Sequence, residues 1–518
     1  MSAYAYCEYV PCYDALLYNR IVLPEKEGKF PVVIMRNPYV DNAETMTDDE
    51  LNKAFIDEQA EWLRYGYAVV EQHCRGCGKS TGDCIPYVNE RQDGLHLQEW
   101  VRQQSFYNGE LYLFGASYTS SVHIVTAPFA PDIKGIVLKV QDSERYNANY
   151  RNGFYKIGLH GNWYVSMYKK KSIREKNYTH DDFNMLPLSE FSQKVFGEKA
   201  ADFDEILKHP QRNDPFWNTH IGGSDGRDAT KHANVPILLV TGFYDIYTGG
   251  IFDMWNAMDA ETKAKSALVV CPYGHSGLAT GQPVEFEKGT VGAQFPAWPM
   301  KWMEYARGKC KSPIETGKIH YYQLFGNGWR SDFDAKTEEM TVKLGAGSVT
   351  YRYDPSDPAG FPGGLSRCFG GTAWQDAPNG RQDVITLYTE PFAQDTFVKG
   401  KMSAKLRVRS DCEDTCFYIR LSLVKNEGDY GLRDDIHQIS NFDASYTPGS
   451  EIDIDFSFDE HAFLIQKGEK LRIDISSANF PQYVRHTNFR GLFSEQTSTK
   501  IANNTIILEE STLTLPIA

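Results

Sequence analysis

The first third of the chain alternates short apolar runs with amphipathic helical patterns, and this alternation restricts the possible folds more than any other feature. The apolar runs, which are typical of buried strands, are PVVIMR (31–36), YAVVEQ (67–72), LYLF (111–114) and GIVLKV (135–140). Helical patterns lie between them, over 48–66 with acidic residues in its first turn, and over 94–104. Strands that alternate with helices predict a parallel sheet covered by helices on both faces.

A long interruption separates this part from two further strands. Residues 141–231 are aromatic and polar without a clear strand pattern, and they predict a helical insertion. The runs VPILLVTGF (235–243) and SALVVCP (266–272) then match the earlier strands in form, so we assign both to the same sheet. The inserted segment is expected to lie over an edge of that sheet as a cap.

The character of the chain changes again near residue 313. Short runs with strand-like alternation are separated by turn residues, namely DVITLYTEPF, MSAKLRVRS, TCFYIRLSLV, IDIDFSF and EKLRIDISS. Such runs predict an all-β sandwich or jelly roll. The predicted division is the first part of an α/β domain (1–140), a helical cap (141–231), the second part of the α/β domain (232–312) and a β domain (313–518).

The charge and the N-terminus exclude two classes of partner. A formal net charge of −14 argues against nucleic-acid binding, because phosphate recognition needs a basic surface. The start, MSAYAYCEYV, lacks the pattern of a signal peptide, and no apolar run approaches the length of a membrane span. We therefore expect a cytoplasmic protein with no nucleic-acid or membrane partner. Its oligomeric state stays open, with a homodimer as one option.

Ten cysteines are scattered along the chain, and we expect them to be buried thiols rather than a disulfide framework. Cys74, Cys77 and Cys84 lie close together in CRGCGKSTGDC, a grouping that suggests a metal site. No second CxxC pair follows, so the ligand set of a zinc site is incomplete. We predict neither a metal nor a cofactor.

Three residues in separate stretches predict a nucleophilic active site. Ser117 in LYLFGASYTSSV follows a predicted strand, Asp245 follows the strand at 235–243, and His275 follows the strand at 266–272. Serine, acid and histidine in this chain order, each at the carboxyl end of a strand, are typical of α/β-hydrolases. Taken singly, Ser117 fits an ordinary turn, Asp245 a helix N-cap, and His275 a loop histidine. Their joint order and placement favour the triad.

The sequence also resembles the X-Pro dipeptidyl-peptidase and cocaine esterase family (CocE/NonD type) of serine hydrolases. The stretches that carry the resemblance are RNPY (36–39), RGCGKSTGD (75–83), GASY (115–118), GFYDIY (242–247), PYGHSG (272–277), HPQRNDPFW (209–217) and SSANFPQYVRHTN (476–488). The resemblance implies an α/β-hydrolase domain with a helical cap and a C-terminal jelly roll. It makes Ser117, Asp245 and His275 the triad.

The same resemblance implies an oxyanion hole formed by the Tyr39 hydroxyl and the backbone N–H of Tyr118. Without it, Tyr39 would count as one of 31 tyrosines that pack in the structure. The chain departs from the family at Ser120, where a glycine is usual, and at Cys77, where arginine is common. Serine is small enough to keep the helix close to the strand, and we interpret Cys77 as a structural variant of its loop.

The predicted activity is hydrolysis of carboxylic esters, and by the same chemistry amides, in small-molecule or short peptide substrates. The family's α-amino-acid ester hydrolases carry two carboxylates shortly after the catalytic acid, where this chain has Tyr247 and Thr248. A buried ammonium without a counter-charge is costly, so a free α-amine is disfavoured unless another carboxylate, such as Asp41, supplies that charge. An X-Pro dipeptidyl-peptidase and an α-amino-acid ester hydrolase remain the alternatives, beside a non-catalytic sugar-binding sandwich.

The predicted cap is rich in aromatic residues, most of which we expect to form its core. They are Tyr146, Tyr150, Phe154, Tyr155, Trp163, Tyr164 and Tyr168. A few of them are expected to line an apolar pocket for the acyl or alcohol group, and Trp163 is the candidate. An apolar pocket favours a hydrophobic ester.

Overall fold

The apolar runs of the first third become neighbouring strands of one large sheet in the computed structural model. The structure describes residues 3–167, 173, 176–219, 226–275, 286, 289–362, 373–374 and 381–518. Tyr168, Ser276 and Gly277, which belong to stretches used above, lie outside the described residues. The side chain of Asp41 is likewise outside the described part.

Twelve strands occur in the described part of the chain before residue 331. They are β1 (Tyr4–Cys12), β2 (Ala15–Leu23), β3 (Phe30–Asn37), β4 (Ala68–His73), β5 (Tyr107–Ala116), β6 (Ile133–Lys139), β7 (Tyr150–Arg151), β8 (Phe154–Tyr155), β9 (Ile237–Gly242), β10 (Ala267–Cys271), β11 (Lys318–Gln323) and β12 (Gly328–Arg330). Strands β7 and β8 form a small hairpin, and the other ten form the sheet in the order β1-β2-β4-β3-β5-β6-β9-β10-β11-β12. Pairing is parallel from β4 to β11 and antiparallel at both edges.

The central strands are apolar because helices cover both faces of the sheet. Every residue of β4, β9 and β10 is buried, and β9 and β10 accordingly show nearly continuous apolar runs rather than alternation, while β4 ends in the buried polar residues Glu71, Gln72 and His73. A strand exposed on one face would alternate between apolar and polar residues. The fold is an α/β-hydrolase with a C-terminal all-β domain, as the sequence predicted.

The described helices are short. They are α1 (Asp48–Glu58), α2 (Ala60–Arg64), α3 (Glu90–Arg102), α4 (Tyr118–Ile124), α5 (Arg145–Asn149), α6 (Asn162–Met167), α7 (Ala201–Ile206), α8 (Phe216–Thr219), α9 (Gly226–His232), α10 (Thr248–Ala257), α11 (Ala260–Ala264), α12 (Val291–Gln294) and α13 (Trp298–Ala306). Single 3₁₀ or π turns occur at Asp41–Glu44, Ala127–Phe129, Ile157–Gly161, His180–Asn184, Leu188–Glu190, Ser192–Phe196, Ile439–Asn441 and Phe493–Glu495. The helix predicted over 48–66 is divided into α1 and α2 at Gln59, whose backbone leaves the helical region with φ −100° and ψ 11°.

The segment predicted as a cap has its own aromatic core. Buried residues of this core include Tyr150, Tyr155, Phe191 and Phe203. Tyr418 of the β domain belongs to the same cluster, so the cap packs against that domain as well. Most of the cap aromatics therefore act as packing residues.

The β domain consists of two antiparallel sheets. Its strands are β13 (Glu338–Lys343), β14 (Ser348–Tyr353), β15 (Ile385–Tyr388), β16 (Thr396–Gly400), β17 (Ser403–Ser410), β18 (Cys416–Lys425), β19 (Gly428–Gln438), β20 (Ile452–Ser457), β21 (His461–Ile465), β22 (Lys470–Ser476) and β23 (Ala502–Ile517). One sheet has the order β20-β17-β23-β16-β21 with β13 and β14 on β23, and the other has the order β15-β22-β18-β19. Apolar residues of both sheets are fully buried in one cluster, which gives the layered core of a sandwich.

The division predicted at residue 312 does not follow the pairing of the strands. Strands β11 and β12 were assigned to the β domain, but they extend the first sheet next to β10. The sequence criterion was the change to short runs separated by turn residues, and β11 and β12 are short strands close to that change. The hairpin β1–β2 at the opposite edge was not predicted.

Among the described residues, no helix is both long enough and apolar enough to cross a membrane.

Candidate active site

Three loops at one edge of the large sheet hold the predicted triad. Ser117 directly follows β5, Asp245 lies in the turn after β9, and His275 lies in the turn after β10. Because these strands run parallel, their carboxyl ends meet at the same edge. The topology thus brings together residues that are far apart in the sequence.

Ser117 occupies a strained turn between β5 and α4. Its φ is +56° and its ψ is −134°, a conformation that non-glycine residues rarely adopt. Gly115 allows the turn to be this sharp, because a Cβ at that position would lie 2.1 Å from the Thr119 carbonyl oxygen. This geometry raises the serine hydroxyl above the sheet edge, as in the nucleophile elbow of α/β-hydrolases.

Thr119 and Ser120, which follow closely after Ser117, both stabilise this turn. The Thr119 hydroxyl donates to the Ala116 carbonyl at 2.6 Å and accepts from the Ala116 amide at 2.7 Å. The Ser120 hydroxyl is fully buried, accepts from the Lys139 amide at 3.0 Å and donates to the Lys139 carbonyl at 3.2 Å. Serine in place of the usual glycine is therefore accommodated by hydrogen bonds to β6.

The triad side chains form a continuous hydrogen-bonded line. His275 Nε2 lies 2.8 Å from Ser117 Oγ, and His275 Nδ1 lies 3.1 Å from Asp245 Oδ2 and 3.4 Å from Oδ1. Asp245 is fully buried and also accepts the Tyr247 amide at 2.7 Å. Gly242 brings the two loops together, since a Cβ there would lie 1.9 Å from the Tyr273 carbonyl oxygen. The line has the geometry of a nucleophile, a base and a group that orients the base.

Tyr118, the first residue of α4, lines the cavity beside Ser117 and packs its ring against Trp163. Its hydroxyl donates to Glu90 Oε1 at 2.6 Å and accepts from the Tyr87 amide at 2.8 Å. Glu90 Oε2 in turn accepts from Arg36 Nη1 at 2.7 Å. As the first helical residue, Tyr118 has a backbone N–H without an intrahelical acceptor, so this donor is available beside Ser117.

Tyr39 follows β3 and places its hydroxyl in the same cavity. The indole Nε1 of Trp163 donates to this hydroxyl at 3.2 Å, and 49% of the Tyr39 surface remains accessible. Partial burial raises the pKa of the Tyr39 phenol, which hydrogen bonds with Trp163 and Ser117 oppose. The phenol therefore keeps its proton at neutral pH. An indole N–H can only donate, so Trp163 binds a lone pair of the Tyr39 hydroxyl oxygen. The phenol proton of Tyr39 therefore remains available for another acceptor.

These groups surround a cavity of about 280 Å³. Its lining includes Ser117, Tyr39, Trp163 and His275, together with apolar side chains such as Leu159. The cavity is thus large enough for a small substrate at the serine. Trp163, predicted as a pocket residue, both lines this cavity and contacts Tyr39.

The cavity wall also contains polar residues that sequence reasoning missed. His160 Nε2 lies 2.9 Å from the Tyr247 hydroxyl, and the Tyr247 ring packs edge-on against His275. Burial lowers the pKa of His160 well below its ordinary value, aided by the Lys156 and His275 charges, so His160 is neutral at pH 7. His160 belongs to none of the motifs in the sequence. The only feature that could have identified it as a cavity residue is its position in the aromatic stretch of the cap.

The cysteines of CRGCGKSTGDC are not part of the triad line, although they pack in one cluster with Tyr118 and Trp163. Cys77 Sγ is 3.5 Å from Cys84 Sγ, and both residues are free thiols in a small apolar cluster with Cys74. Among the residues that the structure describes, no group of three or more histidine, cysteine or acidic side chains could hold a metal ion.

Comparisons with known proteins agree with this architecture. The chain is 24% identical to cocaine esterase of Rhodococcus sp. (strain MB1 Bresler) over 536 residues, which cover 91% of this chain and 90% of that protein. An aminopeptidase from the marine sediment archaeon Thaumarchaeota archaeon superposes with a TM-score of 0.82 at 16% identity, covering 99% of this chain and 96% of its own. An α-amino acid ester hydrolase superposes with a TM-score of 0.81 at 18% identity, covering 100% and 97%.

Two family profiles match in sequence order. The profile of the X-Pro dipeptidyl-peptidase (S15 family) matches residues 14–277, just over half of the chain. This chain belongs to the S15 family. The profile of the X-Pro dipeptidyl-peptidase C-terminal non-catalytic domain matches residues 315–513. The protein is therefore a hydrolase of the S15 and cocaine esterase type, and the predicted family is confirmed.

Proposed function

We propose that this S15 family member hydrolyses carboxylic esters, and by the same chemistry amides, through an acyl-enzyme formed on Ser117. The observation that supports the proposal best is the hydrogen-bonded line Ser117–His275–Asp245 at the wall of a small cavity. A serine hydroxyl is a weak nucleophile until a base takes its proton, and His275 is in place to do so. Asp245 fixes the orientation of the imidazole.

In the first stage, His275 Nε2 accepts the Ser117 proton while Oγ attacks the substrate carbonyl carbon. The carbonyl oxygen becomes an oxyanion, which the Tyr39 hydroxyl and the Tyr118 amide stabilise. The carbon–oxygen bond to the leaving alcohol then breaks, and His275 gives its proton to that alcohol. In the second stage, water gives a proton to His275 and attacks the acyl carbon, and Ser117 leaves with the proton back on Oγ.

The wall next to the triad supports an ester substrate without an α-ammonium group. Tyr247 and Thr248 occupy the positions, two and three residues after Asp245, at which the related α-amino-acid ester hydrolases carry carboxylates. The Tyr247 hydroxyl is bound to the neutral His160, so neither Tyr247 nor Thr248 supplies a negative charge to pair an ammonium.

An X-Pro dipeptidyl-peptidase is the second candidate, favoured by Asp142 in the same cavity. Burial raises the pKa of Asp142 to about 7, and the Lys156 cation opposes that rise. An ammonium near Asp142 would favour its ionised form. Asp142 is thus a carboxyl group that a peptide N-terminus could use.

A substrate panel separates the two candidates. We expect hydrolysis of p-nitrophenyl esters of short to medium acyl chains, with weaker cleavage of a dipeptidyl-proline p-nitroanilide. Ser117→Ala should lose about 10⁴-fold or more of the activity on every substrate that is cleaved, whereas Ser348→Ala, an exposed serine of the β domain, should match the wild type. Full activity of Ser117→Ala would disprove the mechanism, and preference for the anilide would favour the peptidase.

A further inference from the structure

Arg145 is a buried cation at the wall of the catalytic cavity. It is the first residue of α5, only 4% of its surface is accessible, and it lines the same cavity as Ser117. Its guanidinium carbon lies 5.8, 5.0 and 5.7 Å from the ring centroids of Tyr87, Phe216 and Trp217. The guanidinium thus lies over the faces of three aromatic rings, which attract its charge.

The Tyr164 hydroxyl is a polar neighbour of this guanidinium, and its interaction with Arg145 opposes the rise that burial causes in the Tyr164 pKa. Arg145 Nε and Nη1 are buried and have no hydrogen-bond partner among the residues that the structure describes. An aromatic ring attracts a cation over its face but offers no acceptor to in-plane N–H groups. A buried charged donor without an acceptor is unfavourable, so the edge of Arg145 is suited to an acceptor that comes from outside the chain.

The neighbouring acidic residues do not pair with Arg145. Asp202 is close enough for the Arg145 cation to oppose the rise that burial causes in the Asp202 pKa, yet the two described side chains form no ion pair. Glu144 accepts from Arg212 Nε at 2.6 Å, and Asp142 Oδ1 accepts the Ser143 amide at 2.7 Å. The carboxylates at the cavity therefore have other partners.

We propose that Arg145 binds a carboxylate group of the substrate inside the catalytic cavity. A carboxylate fits because its two oxygens match the fork of N–H groups on a guanidinium edge. The remaining lining, which includes Ile124, Val125 and Leu159, suits an apolar segment between that carboxylate and the reacting ester. The substrate class is then an ester with an apolar acyl or alcohol part that ends in a carboxylate. This inference rests on the proposed esterase function.

Matched pairs of esters test the assignment. One member is a p-nitrophenyl hemiester of a dicarboxylic acid from glutaric to suberic acid, and the other is the p-nitrophenyl ester of the monocarboxylic acid with the same carbon number. For the best length, we expect wild-type kcat/KM to favour the carboxylated member by about tenfold or more. Arg145→Met should abolish that preference, because it lowers kcat/KM on the carboxylated member far more than on the neutral member.

Three controls make the outcome decisive. Arg352→Met removes one cation from the exposed side of β14 and should leave the preference unchanged. Arg145→Lys keeps the charge but not the fork, so it should retain only part of the preference, and it replaces Arg145→Met if that variant does not fold. A wild type that prefers neutral esters at every length, or Arg145 variants that lower both members equally, would overturn the assignment.

A binding measurement separates this inference from the esterase proposal. In Ser117→Ala, suberate and its shorter homologues should raise the melting temperature, and Arg145→Met in the same background should remove that rise. If no ester is cleaved but the Arg145-dependent rise persists, the esterase proposal fails and the carboxylate site stands. If esters are cleaved without any such rise and without carboxylate preference, only the site is wrong.

Discussion

Two buried arginines, Arg36 behind the cavity residue Tyr118 and Arg145 in the cavity lining, differ in how their charges are satisfied. On the elbow wall, defined by Arg36, Glu90 and Tyr118, Arg36 donates to Gln72 at 2.9 Å and to the Glu90 carboxylate at 2.7 Å. On the cap wall, defined by Arg145, His160 and Trp163, Arg145 has ring faces around it but no partner for Nε and Nη1 in the described residues.

This difference distinguishes a buried charge that stabilises the fold from a buried charge that can bind a ligand. A buried charge that is ion-paired fixes the surrounding chain: Arg36 pairs with Glu90 and Asp93, although its Nη2 makes no hydrogen bond, and Glu90 in turn holds Tyr118 beside Ser117. A buried charge with open donors at a cavity is available to a ligand. The two walls should therefore respond differently to the same substitution.

The largest expected effect is on stability when either arginine is replaced by methionine. Arg36→Met leaves Glu90 buried without its counter-charge and should lower the free energy of unfolding by about 3–5 kcal/mol. Arg145→Met loses ring contacts but strands no ion-pair partner, so it should cost less than about 2 kcal/mol. Urea denaturation of both variants measures this difference. Equal losses in the free energy of unfolding would contradict the proposed contrast between Arg36 and Arg145.

Removal of the Tyr39 hydroxyl should have the next largest effect, and on rate rather than on stability. Tyr39→Phe deletes one proposed oxyanion donor and should reduce kcat about 10²- to 10³-fold. KM on a p-nitrophenyl ester should change little, because the donor acts mainly in the transition state. A change in KM alone would show that the phenol binds the substrate instead.

Trp163→Phe tests whether the cap wall acts on Tyr39 through the indole N–H. It keeps an aromatic ring but removes the donor at 3.2 Å, and we expect about a tenfold loss in kcat at most. In the Tyr39→Phe background, the same substitution should have almost no further effect on kcat. Additive losses in the double variant would contradict a positioning role and favour direct contact of Trp163 with the substrate.

The smallest expected effect concerns the pH dependence of stability that two buried histidines, His123 and His160, cause. Burial lowers the pKa of His123 in α4 to about 3 and that of His160 well below its ordinary value, so both are neutral in the folded protein at pH 6. The unfolded chain takes up these protons near pH 6.5, so each histidine lowers stability as pH falls, by about 0.7 kcal/mol between pH 7 and pH 6.

His123→Gln and His160→Gln should therefore each reduce that loss by the same amount. Urea denaturation at both pH values measures the change, and the comparison uses the pH dependence rather than absolute stability. An unchanged dependence for either variant would show that its histidine is already protonated in the folded state at pH 6.

The parts that sequence could predict are those with strong local periodicity or a short motif. The parallel strands are continuous apolar runs because both faces are covered, and Ser117, Asp245 and His275 each follow such a run. The structure places these three residues within hydrogen-bonding distance, and their catalytic roles remain predictions. The hairpin β1–β2 was missed because its outer strand is largely exposed and carries no continuous apolar run.

Other features depend on tertiary neighbours and have no local signal. Whether an arginine is paired depends on distant residues, as Arg36 and Glu90 are 54 positions apart. Arg145 is flanked in sequence by polar residues that give no indication of its burial. Strands β11 and β12 join the first sheet only because β10 presents an open edge, which a single-strand pattern cannot reveal.

The most direct test of the account is the covalent labelling of the nucleophile. Incubation of the full chain with a fluorophosphonate, followed by peptide mass spectrometry, should place one phosphonyl group on Ser117 and none in Ser117→Ala. His275→Ala should slow the labelling strongly, because the serine then lacks its base. A label on another residue, or sustained ester hydrolysis without any label on Ser117, would contradict the proposed mechanism.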